Sequence, residues 1–134
     1  MAIQLSVTVR NARLDQIETV IGAAPTIEIF TGAQPASCAA ADAGTLLVQE
    51  TLPSDWLAAA ASGSKAKLGT WSAAAIGAGV AGHFRIKTQV GSPSDCHLQG
   101  SCGEGAGDMS FDNTDIAVDQ TVTVNTFNLT DGNA

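Results

Sequence analysis

The sequence predicts a mainly β protein: an antiparallel β-sandwich, jelly-roll-like, forming a single domain over residues 1–134, with one N-terminal helix and one short helix. Three observations predict it. Apolar residues alternate with polar ones in short runs, the period of a half-buried strand. Turn residues (Gly, Pro, Asn, Asp) recur between those runs at roughly ten-residue intervals, the spacing of sandwiches and jelly rolls. The composition is 45% hydrophobic with only 4% aromatic and 14% charged residues, a small-residue core under hydroxyl- and amide-rich surfaces. A chain of 134 residues buries about two-thirds of its unfolded surface as one domain.

Taken in order, Ile3, Leu5, Val7 and Val9 alternate with polar residues and predict a first strand. The period then changes. Leu14, Ile17, Val20 and Ile21 follow helical spacing, which predicts a helix over 11–21 with Thr8 or Asn11 as cap and Gly22 as its stop. Thr26 to Phe30 reads as a strand ended by Thr31-Gly32, residues 33–44 as a loop, and Leu46 to Leu52 as the next strand. Pro53-Ser54-Asp55 followed by an alanine run predicts a short helix over 54–61, ended by Ser62-Gly63-Ser64, with Trp56 plugging one end of the sandwich.

Lys65 to Trp71 alternates again, with Ala66 and Leu68 opposite Lys65 and Lys67. A longer strand carries Gly82, Phe84, Ile86, Thr88 and Val90 on one face and His83, Arg85 and Lys87 on the other. Residues 91–95 turn the chain into a strand at Cys96 to Gly100, and Gly103 to Gly107 reads as a hairpin tip. Met109 and Phe111 begin the closing strands, with a turn at Asp112 to Asp115. Val122 and Val124 share one phase, whereas Phe127 and Leu129 hold the opposite phase. That slip predicts a β-bulge at Asn125-Thr126. The expected core includes Phe84, Ile86, Leu98, Met109, Phe111, Val122, Val124, Phe127 and Leu129.

Net charge is −7, unevenly placed: residues 1–87 hold all six bases against six acids, and residues 88–134 hold seven acids and no base. No basic stripe exists to displace counterions, so nucleic acid is not an expected partner. No apolar run reaches membrane-spanning length, and no basic region followed by an apolar core opens the chain, so no membrane partner and a reducing cytoplasm are expected. Cys38, Cys96 and Cys102 are then free thiols, with a Cys96–Cys102 link as the alternative.

Motifs that could carry chemistry each have a plainer explanation. Gly77 to Gly82 matches G-x-G-x-x-G, but a strand follows it where dinucleotide binding needs a helix N-terminus. Asp108, Asp112, Asp115 and Asp119 cluster without the spacing of a calcium loop. His83 and His97 lie on alternating strands with no nucleophile or zinc pattern nearby, and Asn128-Leu129-Thr130 is a sequon at a strand end. No catalytic residue, cofactor or metal is therefore expected, and the chain is read as non-enzymatic.

Three segments carry a resemblance: Val9-Arg10-Asn11-Ala12-Arg13-Leu14-Asp15-Gln16-Ile17-Glu18-Thr19-Val20-Ile21-Gly22, then Leu52 to Ala66 (beginning Leu-Pro-Ser-Asp-Trp-Leu), and Asp108-Met109-Ser110-Phe111-Asp112-Asn113. Together they resemble a family of small structural proteins of tailed bacteriophages, over nearly the whole chain. The resemblance implies a virion component assembled in the host bacterial cytoplasm. The favoured role is a capsid decoration (cement) protein, binding the major capsid protein and forming homo-oligomers in the virion. A neck, tail or fibre component, including a receptor- or glycan-binding domain, is the alternative, and an enzyme lies far behind. The candidate interface is Arg10, Arg13, Leu14, Ile17, Val20 and Ile21, a helical stripe beside positive charge. The competing expectation is that this helix simply caps its own sandwich.

Overall fold

The computed structural model describes residues 3–88 and 95–132, and the fold is mainly β with a single helix among them. Helix α1 (Val7–Ile21) is followed by β1 (Thr26–Thr31), β2 (Leu46–Thr51), β3 (Ser64–Ala66), β4 (Ser72–Ala74) and β5 (Gly79–Lys87). Then come β6 (Cys96–Glu104), β7 (Met109–Phe111), β8 (Asp115–Ile116) and β9 (Thr121–Thr130). The main path runs β2-β1-β5-β6-β7-β9-β3, with β4 on β9 and β8 on β5, and the sheet curls into a half-barrel. Val90 and residues 91–94 of the turn expected at 91–95 lie outside the described residues.

One cluster forms the core. Trp56, Trp71, Phe127 and Phe84 form a continuous aromatic chain, with ring centroids 6.1, 5.4 and 5.5 Å apart. Ile27, Ile29, Leu47, Ile86, Met109 and Phe111 pack around it. With so few aromatic residues in the sequence, these four rings supply much of the core's bulk. Leu98 and Leu129, expected inside, are only half-buried at its rim.

The period-two reading holds where strands are long. β7 pairs with β9 through Ser110↔Thr126 and Phe111↔Val124, so Asn125 is the extra residue of a bulge, and the buried side changes from Val124 to Phe127 across it. The G-x-G-x-x-G glycines sit where backbones nearly touch: a Cβ at Gly82 would lie 2.1 Å from the Gly32 carbonyl oxygen, and one at Gly77 would lie 2.4 Å from that of Leu46. They permit close strand crossing and open no helix.

Four expectations are overturned. Residues 3–6 form no strand, and the helix begins at Val7, because the Ser6 hydroxyl accepts the Val9 N–H and caps it four residues ahead of the expected start. No helix forms over 54–61. Instead Ser62 and Gly63, with φ of 53° and 74°, make a two-residue turn, and Ala61 and Ser64 exchange both backbone hydrogen bonds across it. Residues 57–61 are thus the outer arm of a hairpin with β3. The sheet is also mixed, since β7 runs parallel to the end of β6, with Cys102↔Met109 in register. Parallel neighbours usually need a crossover of about a dozen residues or more. Here the chain loops back across Gly103, where a Cβ would meet the Ala106 carbonyl oxygen at 2.4 Å, and turns at Gly105 and Gly107 in left-handed conformations.

Phe127 joins Trp71 to Phe84. Phe127→Ala should therefore lower unfolding free energy by about 3–5 kcal/mol, read as a shifted urea midpoint. A loss of under about 1 kcal/mol would mean that the aromatic chain is not the core's keystone.

Candidate docking surface

Helix α1 presents two different ridges. Leu14 and Ile21 are buried and Ile17 is half-buried, packed against the core. Beside them Asn11, Asp15 and Glu18 form a polar ridge at helical spacing, aimed at the hairpin arm. Asn11 Oδ1 accepts the Gly63 N–H at 2.9 Å, Asp15 Oδ1 the Ala60 N–H at 3.0 Å, and Glu18 Oε1 the Leu57 N–H at 3.3 Å. The Trp56 indole N–H donates to the Gly22 carbonyl at 3.1 Å and extends the row by one turn. On its other side, Ala58 N–H reaches the Ala66 carbonyl. The alanine run thus has its amides claimed from two sides, which is why it stays extended.

Lys65 lies beneath this seam with only 2% of its side chain exposed. Its ammonium reaches Asp15 Oδ1 at 2.8 Å, Glu18 Oε2 at 2.9 Å and the Ala58 carbonyl at 2.8 Å, so all three donors are used. Burial acts to lower the Lys65 pKa, but the two carboxylates outweigh it and hold it above its ordinary value. The Lys65 hydrogen bond, followed by the Ala60 amide, holds Asp15 below its ordinary value. An open cleft of about 550 Å³ runs along the seam, lined by Asp15, Glu18, Thr19, Ser54, Asp55 and Lys65 among others. Asp15, Glu18 and Lys65 are already paired with one another there.

The polar face of β5 is buried as well. His83, Arg85 and Lys87 are each 0% exposed, covered by the 33–45 loop. Arg85 bonds Asp42 at 2.8 Å and the carbonyls of Cys38 and Ala40, while Lys87 bonds Asp42 at 2.6 Å and Glu28. His83 donates from Nδ1 to the Gly32 carbonyl and stacks on Phe30, their centroids 5.2 Å apart. Sequence alternation separates this face from the apolar one. It gives no sign that a loop covers it.

The predicted interface residues therefore divide. Leu14 and Ile21 belong to the chain's own core. Arg10 donates to the Asp131 carbonyl at 3.0 Å and Arg13 pairs with the Asp131 carboxylate at 3.2 Å, tying the helix to the end of β9. Val20, 68% exposed, and half-buried Ile17 remain at the surface. With Arg13, Gln16, Ile21 and His97 they line a shallow groove of about 290 Å³. His97 is exposed while Cys96 is buried, as their adjacent places on a strand imply. Sequence reasoning missed His97 as a neighbour of the helix, because no local signal brings β6 to it. Ile3, Val7 and Val9, at and before the helix start, are also exposed.

The acidic cluster serves turns. Asp108 Oδ2 accepts from the Ser101 amide and hydroxyl, Asp112 pairs with Asn125, and Glu104 accepts from the Thr114 amide and hydroxyl. Those Thr114 bonds, the backbone one first, hold Glu104 below its ordinary pKa. Among the described residues no three His, Cys, Asp or Glu side chains gather as a metal site.

Compared with known proteins, the chain matches no family model, no curated protein and no solved structure.

The seam has a pH signature. The depressed Asp15 pKa stabilises the fold above its ordinary 3.8, and that contribution is lost as pH falls through the lower folded value. The raised Lys65 pKa stabilises below 10.5, and that contribution is lost as pH rises through the higher folded value. Melting temperature should therefore be insensitive to this pair between those limits and drop on the acid side. Asp15→Asn should lower stability near neutral pH and flatten the acid-side drop. An acid limb unchanged in the variant would contradict the assignment.

Proposed function

We propose that this chain is a non-enzymatic structural protein of a tailed-phage particle, attached to the head surface as a decoration (cement) protein through contacts with the major capsid protein and with neighbouring copies of itself. The resemblance of the three sequence segments supports the phage role. The fold adds one fact: two of those segments are the two sides of a single seam, the α1 ridge and the hairpin arm it holds. A family signature placed there describes a structural clamp, as expected where assembly is the function.

The observation that carries the docking surface is the exposed rim of α1. Val20 and Ile17 stand beside a groove, and all six bases are engaged within the chain: Arg10 and Arg13 on Asp131, Lys65 on Asp15 and Glu18, Lys67 on the Gly69 carbonyl, Arg85 on Asp42, Lys87 on Glu28 and Asp42. Attachment through this face then rests on apolar contact more than on positive charge. Five of the seven acids in residues 88–134 (Glu104, Asp108, Asp112, Asp115 and Asp119) are exposed, which suits a face turned to solvent. Stable attachment buries about 800 Å² per partner, more than this rim alone, so the first turn of α1 and residues 3–6 would join it.

The test is Val20→Asp, an exposed position where the change leaves the core intact. The variant should keep its melting temperature and lose occupancy on particles by at least about tenfold, equivalent to roughly 1.4 kcal/mol. A folded variant that still decorates heads fully would place the contact elsewhere. Copy number decides the location: a stoichiometry comparable to the major capsid protein means head decoration, and a handful per particle means neck, tail or fibre.

A further inference from the structure

Two of the three cysteines lie on the covered face of the sheet. Cys38 belongs to the 33–45 loop and Cys96 opens β6, paired in register with Lys87. The loop is held there by groups on either side of the cysteines: Arg85 Nη2 donates to the Cys38 carbonyl at 2.7 Å, and Gln99 Nε2 donates to the Pro35 carbonyl at 2.7 Å. Arg85 and Lys87 both pair with Asp42 of the same loop, so Cys38 and Cys96 are neighbours on this face, and the Cys96 thiol donates to the Leu98 carbonyl at 3.5 Å. The two differ in access, since Cys96 is buried and Cys38 is partly open to solvent. Cys102, six positions further along the extended strand, lies about 20 Å from Cys96. A Cys96–Cys102 link is therefore sterically excluded.

We propose that Cys38 and Cys96 form a latent disulfide pair, a modification site at which a small-molecule disulfide oxidises the chain and fastens the 33–45 loop to the start of β6. The partly open Cys38 thiolate attacks one sulfur of the external disulfide, forming a mixed disulfide and releasing one small thiol. The Cys96 thiolate then attacks the Cys38 sulfur, forming the Cys38–Cys96 bond and releasing the second small thiol. Two protein thiols lose two hydrogens and two electrons, and the external disulfide gains them as two thiols. Burial, and after it the neighbouring Cys96, push the Cys38 thiol up to about 11, so the first attack is slow at neutral pH and the pair stays reduced until a disulfide is in excess. Burial, followed by nearby Asp108, pushes Cys102 up to about 12, which leaves it a bystander. The inference rests on this pair alone and stands or falls independently of a particle role.

The experiment uses the full chain with excess oxidised glutathione under native conditions, quenched by acid. Thiols counted after denaturation should fall from three to one, and non-reducing peptide mapping should join the Cys38 peptide to the Cys96 peptide. Cys102→Ser should form the same link. Cys96→Ser should stop at a glutathione adduct on Cys38. The linked chain should melt at least about 5 °C higher, and dithiothreitol should reverse the shift. Accumulation of the Cys38 adduct in the parent chain with Cys96 still free would overturn the proposal. So would a link through Cys102, a count that stays at three, or a bond that forms only in denaturant.

Discussion

Everything on one side of this molecule depends on where the amides of residues 57–63 find acceptors. The hairpin arm is the outer edge of the sheet, and buried amides without partners cost about 1–3 kcal/mol each. The chain covers the edge with a helix whose side chains supply the acceptors, through Asn11, Asp15 and Glu18. Two carboxylates brought side by side would repel, and Lys65 beneath them balances the charge while filling its own three donor positions. Helix, arm and β3 therefore form one unit, closed by Arg10 and Arg13 on Asp131 at the end of β9.

The same logic repeats on β5. Burying Arg85 and Lys87 completely is tolerable because Asp42 and Glu28 pair with them and the Cys38 and Ala40 carbonyls accept from Arg85 Nη2. The result explains the charge distribution of the sequence. Its few bases pair within the chain, on acids of the first 87 residues or on Asp131 and backbone carbonyls, and the excess acids of the later residues are left at turns and surfaces. A protein arranged in this way presents apolar and acidic surfaces, with little free positive charge.

How much of this was legible follows from the range of each signal. Strand periods are local, so β1, β2, β5 and β9 could be read directly, as could the Gly22 stop and even the Asn125 bulge from its phase slip. Local signals also misled. The alternation of Ile3 to Val9 is compatible with a helix once Ser6 caps it, and the alanine run lacks any local mark of the acceptors waiting on α1. Ser62-Gly63 did carry a hairpin signal, masked because Gly after an alanine run equally suits a helix end. The buried fate of Arg85, Lys87 and Lys65 was not legible, because partners 43, 59 and 50 residues away decide it. The candidate surface was half legible: helical spacing located the stripe, but the division between core (Leu14, Ile21) and rim (Ile17, Val20) depends on how the polar ridge rotates the helix.

The central claim, that helix side chains serve as the hydrogen-bond acceptors of the sheet's outer edge, is tested most directly by native-state amide hydrogen exchange resolved by residue. The amides of Leu57, Ala60 and Gly63 should exchange with protection comparable to that of Ala58, whose acceptor is the backbone carbonyl of Ala66. In a chain carrying Asp15→Ala and Glu18→Ala, protection at Leu57 and Ala60 should collapse while that of β5 persists. Exchange of Leu57, Ala60 and Gly63 at the rate of an open loop in the parent chain, with Ala58 protected, would contradict the account.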